Sequence, residues 1–191
     1  MKVVAINGSP RLIGNTANAV GDLFDELEKE GIETEHVQIY ADHLSPCNDC
    51  RSCEMRGDGR CIIEDDRLNE IVDMMAEADG IVLASPTYYG SCTGQMKIFL
   101  ERAGLATETG GLRLRRKVGA ALVVQAHEGG SMVYSELVNF MLRNQMVVCG
   151  STPCTILTAK DTPGYLKDEA GMRALRTLGR EMSWLLGSLS R

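Results

Sequence analysis

Apolar and polar positions along the chain switch repeatedly between the spacing of a strand and that of a helix. Residues 3–6 form a short β-branched run closed by Asn7, Gly8, Ser9 and Pro10, the pattern of a buried strand ending in a turn. From residue 15 to about residue 30, Ala17, Val20, Leu23, Phe24 and Leu27 recur at helical spacing, and Gly31 stops the segment. Residues 34–40 alternate as a second strand. A cysteine-rich segment intervenes, and residues 66–78 then carry Leu68, Ile71, Val72 and Met75 as a helix does. Residues 80–84 (GIVLA) predict a third, buried strand, followed by the loop SPTYYGS and a helix over about 92–105. Residues 118–124 are the most apolar run and predict a central fourth strand, with QAHEGGS as its exit loop and a helix over 131–146. A fifth strand over 147–158 is interrupted by Gly150 and Pro153, and a helix from 165 to about 186 closes the chain.

Five strands alternating with five helices predict a doubly wound α/β fold, a parallel sheet covered by helices on both faces. Right-handed crossovers bring every strand-to-helix loop to one edge of such a sheet, where ligands bind near the switch in strand order. Three loops there stand out: residues 8–16, 85–91 and 126–131. No repeat, low-complexity tract or linker divides the 191 residues, which predict a single domain carrying a cysteine-rich insertion at about 42–64.

Charge narrows the partners. The formal net charge of −6 and a pI near 5.1 lack the basic footprint of a nucleic-acid binder. The apolar start of MKVVAINGSP is far shorter than a signal peptide or a membrane span, so a cytoplasmic protein is expected, with no membrane partner. Arg113, Arg115, Arg116 and Lys117 form one local basic run. It reads first as a solvated strand entrance, and second as a docking point for an acidic partner or a nucleotide phosphate.

The first loop, GSPRLIGNT, leads from a strand into a helix, whose free N–H groups and partial positive charge receive a phosphate. Ser9, Asn15 and Thr16 add donors and Arg11 adds a charge. Neither the Walker pattern GxxxxGK[ST] nor the dinucleotide pattern GxGxxG is present. In the second loop Tyr88 and Tyr89 suit the face or edge of a planar ring, with Pro86 and Gly90 shaping the turn. In the third, His127 and Glu128 precede Gly129 and Gly130, and His127 is a candidate to neutralise an anion or relay a proton. His36 and His43 have no motif around them.

Four of the seven cysteines, Cys47, Cys50, Cys53 and Cys61, lie in CNDCRSCEMRGDGRC. In a reducing compartment this density points to metal or redox chemistry sooner than to structural bridges. Three cysteines in C-x2-C-x2-C wrap one corner of a cubane, as in bacterial ferredoxins, with Cys61 as the fourth ligand across a stretch containing Gly57 and Gly59. Free or redox-active thiols are a second reading. Tetrahedral zinc is a third, although zinc sites usually pair two C-x2-C units. Cys92, Cys149 and Cys154, on the third helix and fifth strand, read as small core residues, and the ten methionines as packing.

Taken in order, INGSPRLIGNT and SPTYYGSCTGQMKIFLER resemble the flavodoxin-like NAD(P)H-dependent FMN reductases over nearly the whole chain. The segment CNDCRSCEMRGDGRCIIEDD further resembles the iron-sulfur flavoprotein branch of that superfamily. The resemblance implies a three-layer sandwich with a five-stranded sheet in the order 2-1-3-4-5, binding FMN. Ser9, Arg11, Asn15 and Thr16 would hold its phosphate, Pro86, Thr87, Tyr88, Tyr89 and Gly90 would line the isoalloxazine, and His127, Glu128, Gly129 and Gly130 would border the ring. It also implies a 4Fe-4S cluster on Cys47, Cys50, Cys53 and Cys61. NAD(P)H or a ferredoxin-like carrier would supply electrons, a small molecule such as oxygen, peroxide or a quinone would receive them, and the chain would form a homodimer or homotetramer. Two rivals differ in kind: a cluster-free NAD(P)H-dependent FMN or quinone reductase, and a non-catalytic flavodoxin-like carrier docking on a protein partner.

Overall fold

The computed structural model describes residues 1–189. Strands β1 (Lys2–Asn7), β3 (Gly80–Pro86) and β4 (Val118–Gln125) are buried almost throughout, which is why each reads as an unbroken apolar run. Strand β2 (Glu33–Gln38) lies at the edge with only Val37 buried, and it keeps the alternation of a half-exposed strand. All pairings are parallel, in the order β2-β1-β3-β4-β5.

The fifth sheet position is filled by two short strands instead of one. Strand β5 (Val147–Cys149) pairs with β4 at 118–120, and β6 (Ile156–Thr158) pairs with the same strand at 123–125. Between them the chain leaves the sheet, held by a 2.8 Å contact between the Ser151 and Thr155 hydroxyls and by the Val123 N–H donating to the Thr155 carbonyl at 3.0 Å. Cys154 lies exposed on this excursion and outside the core.

Alternate side chains of the strands enter two separate cores. Val3, Ala5, Val82, Ala84, Ala120 and Leu122 pack with α1 (Asn15–Glu28) and α6 (Glu169–Leu189). Val4, Ile6, Ile81, Leu83, Ala121 and Val123 pack with α3 (Leu68–Glu77), α4 (Gly94–Thr109) and α5 (Gly130–Arg143). The result is the expected three-layer, flavodoxin-like sandwich. Helix α6 starts later than its apolar pattern predicts. The Gly171 N–H donates to the Asp168 carboxylate at 3.0 Å, an N-terminal cap that separates the helix from a 3-10 turn at Gly164–Lys167. No described helix is long and apolar enough to cross a membrane.

The cysteine segment lies between β2 and α3, and its one regular element is a short helix, α2 (Ser52–Arg56). It rests against the end of α4 through a glycine pair. A Cβ added at Gly110 would lie 2.1 Å from the Gly59 Cα, so the two backbones meet as closely as only glycines permit.

Candidate functional site

Beyond the carboxyl ends of the strands lies a cleft of about 140 Å³. Ser9, Arg11, Asn15 and Thr16 of the first loop line one side of it, and Pro86, Thr87 and Tyr88 of the second line another. The end of β4 contributes Gln125, the loop after it Ala126, and the segment after β6 Ala159 and Lys160.

The first loop is bent by local hydrogen bonds. The Ser9 N–H donates to the Asn7 side-chain oxygen at 2.9 Å, and the Arg11 N–H donates to the Ser9 hydroxyl at 3.2 Å. The loop is fastened to α4 by Thr93, whose hydroxyl donates to the Gly8 carbonyl at 2.7 Å while accepting the Met96 N–H at 3.2 Å. Helix α1 begins with no side-chain cap on its first N–H groups. Asn15 donates to the Asp161 carbonyl at 3.0 Å, yet its own side-chain oxygen is buried without a partner among the described residues. The Thr87 hydroxyl is in the same condition. Buried polar atoms are rarely left unpaired, so two of them in one cleft point to a polar ligand. An uncapped helix start beside Arg11 suits the anionic end of such a ligand.

The second loop is a tight reversal at Tyr89 and Gly90, both at positive φ, closed by reciprocal bonds between Tyr88 and Ser91 of 2.9 and 3.1 Å. It leaves Tyr89 fully exposed, and Leu12 and Ile13 of the first loop are exposed as well. The cleft is smaller than the ~300–1,000 Å³ of most small-molecule pockets. A mononucleotide seated there by its phosphate would therefore leave its ring system on the open side, among these apolar side chains.

The third loop divides. Gly129 packs against Thr87 and Gly90, and the Gly130 N–H donates to Gln125 at 2.9 Å. His127 and Glu128 stand exposed and outside the cleft lining. The basic run lies at the opposite edge of the sheet, where β4 begins. Lys117 donates to the Ala78 carbonyl at 2.6 Å and Arg113 pairs with Asp73 at 2.8 Å, so both serve local structure.

Cys47, Cys50, Cys53 and Cys61 all line one small cavity of about 20 Å³, with apolar walls from Ile62, Ile63 and Leu105. Among the described residues no three Cys, His, Asp or Glu side chains close on a single metal ion. Cys47 and Leu105 also border a larger groove of about 630 Å³ lined by α4 and α5. Hydrogen bonding from Ser52 holds the Cys50 thiol below its ordinary pKa. Burial pushes Cys92 up to about 12 and Cys149 up to about 11, which makes both poor nucleophiles. Cys92 is a buried residue just ahead of the Thr93 cap, outside the helix its sequence position implies. Iodoacetamide treatment of the iron-free protein is expected to modify exposed Cys47, Cys50 and Cys154 while Cys92 and Cys149 stay intact, read by peptide mass spectrometry.

Two residues of this site carry no motif. Arg102, on α4, is 1% exposed and forms an ion pair with Asp66, itself 3% exposed. Its guanidinium also donates to the Ser45 carbonyl and to the Ile63 carbonyl at 3.1 Å each, and to the Cys61 sulfur at 3.3 and 3.4 Å. The readable signal is a charged residue on the stripe Met96, Phe99, Ala103, Ala106 that faces the core.

A family model described as NADPH-dependent FMN reductase matches residues 1–156. The chain belongs to that family. Within the FMN reductases it falls in the iron-sulfur flavoprotein branch. It is 36% identical over 190 residues to an iron-sulfur flavoprotein of Methanocaldococcus jannaschii, covering 96% of each chain. It is 34% identical over 152 residues to an iron-sulfur flavoprotein of Methanosarcina thermophila, covering 78% of each. Among solved structures, RosB with bound 8-demethyl-8-formylriboflavin-5'-phosphate aligns with a TM-score of 0.77 at 22% identity, covering all of this chain and 80% of that one. An archaeal flavodoxin aligns at 0.62 and 15% identity, covering 98% and 99%. These two likenesses concern the fold. As an FMN reductase the chain is a flavin-dependent oxidoreductase that uses FMN, and the unpaired Asn15 and Thr87 atoms beside an uncapped helix fit that cofactor.

Proposed function

We propose that this flavin oxidoreductase takes electrons from NAD(P)H or a ferredoxin-like carrier and passes them through FMN and a 4Fe-4S cluster to a small acceptor such as oxygen, peroxide or a quinone. The observation that carries the reading is that four cysteines spaced for a cubane line one cavity on a flavin-binding fold. When bound, FMN exchanges two electrons with a hydride donor and one at a time with a metal centre.

The chain's own residues bind and shield. Ser9, Arg11, Asn15, Thr16 and the α1 N-terminus hold the phosphate. Pro86, Thr87, Tyr88, Tyr89 and Gly90 border the ring, with Gly129 and Gly130 fixing that loop and His127 and Glu128 at its solvent side. Cys47, Cys50, Cys53 and Cys61 hold the cluster. The chain works as one domain with the cysteine segment inserted, in the cytoplasm. Exposed Leu12, Ile13 and Tyr89 around the cleft support a homodimer or homotetramer in which a second copy covers the flavin.

Anaerobically purified protein is expected to contain FMN together with about four irons and equivalent sulfide per chain. The Cys50→Ala variant should lose the cluster absorption and keep its flavin bands. Wild-type protein with flavin but without iron or sulfide would overturn the cluster and favour the simple reductase.

A further inference from the structure

We propose that Arg102 is the positioning residue of the cluster, holding Cys61 in ligand geometry and raising the cluster's reduction potential through N–H···S hydrogen bonds. The inference rests on the four-cysteine cluster reading.

Cys61 is held through its backbone and its sulfur alike before any metal arrives. Its N–H donates to the Asn69 side chain at 2.8 Å, and its carbonyl accepts the Asn69 amide at 2.9 Å. Its sulfur then receives two N–H groups of Arg102. Cys47 and Cys50 are exposed. Arg51 also lines the cavity, but its side chain is exposed and spent on Asp49 and Glu54 at 2.7 and 3.3 Å. Arg102 is thus the buried cation of this wall. One edge of its guanidinium is neutralised by Asp66, and the other is aimed at sulfur. Asp66, Ser45 and Ile63 take three of the five guanidinium N–H donors, and the Nε–H and the remaining Nη2–H both go to the Cys61 sulfur.

The electrostatic consequence has a definite sign. One-electron reduction adds a negative charge to a cluster and its thiolates. N–H donors at a ligand sulfur in a buried site stabilise that added charge and raise the potential. They also fix the ligand's orientation, as outer-sphere partners do for metal-bound histidine.

The test compares wild type, Arg102→Gln and Arg102→Lys, each reconstituted anaerobically with ferrous iron and sulfide, by redox titration followed by electron paramagnetic resonance. At matched iron and sulfide content, both variants should show a lower midpoint potential than wild type, with Lys between Gln and wild type because it keeps the charge without the fork. A loss of fold in these variants leaves a measurement on protein that keeps Arg102. Wild-type and Arg51→Lys protein, each labelled with 15N-arginine, should show the same nitrogen hyperfine coupling to the reduced cluster. Unchanged potentials in cluster-bearing Arg102 variants, no arginine coupling in the wild-type cluster, or a coupling lost in Arg51→Lys, would overturn the role of Arg102 while leaving the cluster in place. Wild-type protein that takes up no iron or sulfide would overturn the cluster reading itself, and the inference with it.

Discussion

Replacing Asp66 with alanine is expected to destabilise the iron-free protein by about 3–5 kcal/mol, the usual cost of stranding one member of a buried ion pair. The change removes the carboxylate that faces Arg102 and leaves a guanidinium that is 1% exposed without its counter-charge. It also removes the acceptor of the Ser45 and Leu68 N–H groups, both at 3.1 Å. For a chain of this size the loss corresponds to a fall in Tm of roughly 6–20 °C. Urea unfolding followed by circular dichroism measures it, and an unchanged midpoint would show the pair to be energetically idle. The effect carries a pH signature. Burial alone would raise the Asp66 pKa, but hydrogen bonds from Arg102 and the Ser45 and Leu68 N–H groups outweigh it and hold the carboxyl below its ordinary value. A depressed folded-state pKa means stability that is complete above the unfolded pKa of about 3.9 and is lost as pH falls through the folded one. The difference between wild type and Asp66→Asn should therefore shrink below about pH 4.

The second large effect belongs to Gly8→Val. A Cβ at Gly8 would lie 2.7 Å from the Met96 Cβ and 2.9 Å from the Thr93 hydroxyl, so the first loop and the start of α4 have to separate. The same hydroxyl holds the Gly8 carbonyl, and the Thr93 N–H donates to Ser85 at 3.2 Å, so separation disturbs two walls of the cleft at once. Overpacking of this kind costs about 1–3 kcal/mol. Because the displaced loop lines the cleft, FMN affinity is expected to fall by roughly tenfold, about 1.4 kcal/mol of binding free energy. Quenching of flavin fluorescence on titrating apoprotein reads the affinity directly. An unaltered dissociation constant would mean that the seat of the first loop on α4 does not shape the site.

The layered fold was legible because three strands buried on both faces have to be continuous apolar runs, as β1, β3 and β4 are. The Cys47 to Cys61 spacing was equally plain, since the distance between cysteines along a chain is local information. The divided fifth position was not. Gly150 and Pro153 announced an interruption, but pairing of β5 and β6 with the same neighbour at separate places depends on β4, which lies elsewhere in the chain. Local pattern also misjudged the start of α6, where the Asp168 cap overrides the apolar spacing of Tyr165 and Leu166. At the cleft, Lys160 and Gln125 line the wall while His127 and Glu128 do not, and neither lining residue belongs to a motif that local pattern could show. Arg102 and Asp66 lie 36 residues apart and carry no shared motif. A buried pair of that separation leaves only the trace of a charge on an apolar helix stripe.

One guanidinium grips the cysteine segment at both of its ends, at the Ser45 and Ile63 carbonyls. Closing a loop costs free energy that rises only slowly with its length. Ser45 and Ile63 are held at one point of α4, and the segment between them meets the rest of the fold again where Gly59 lies against Gly110 and Arg60 pairs with Asp73. Loss of the Arg102 side chain would therefore release both ends of the segment together.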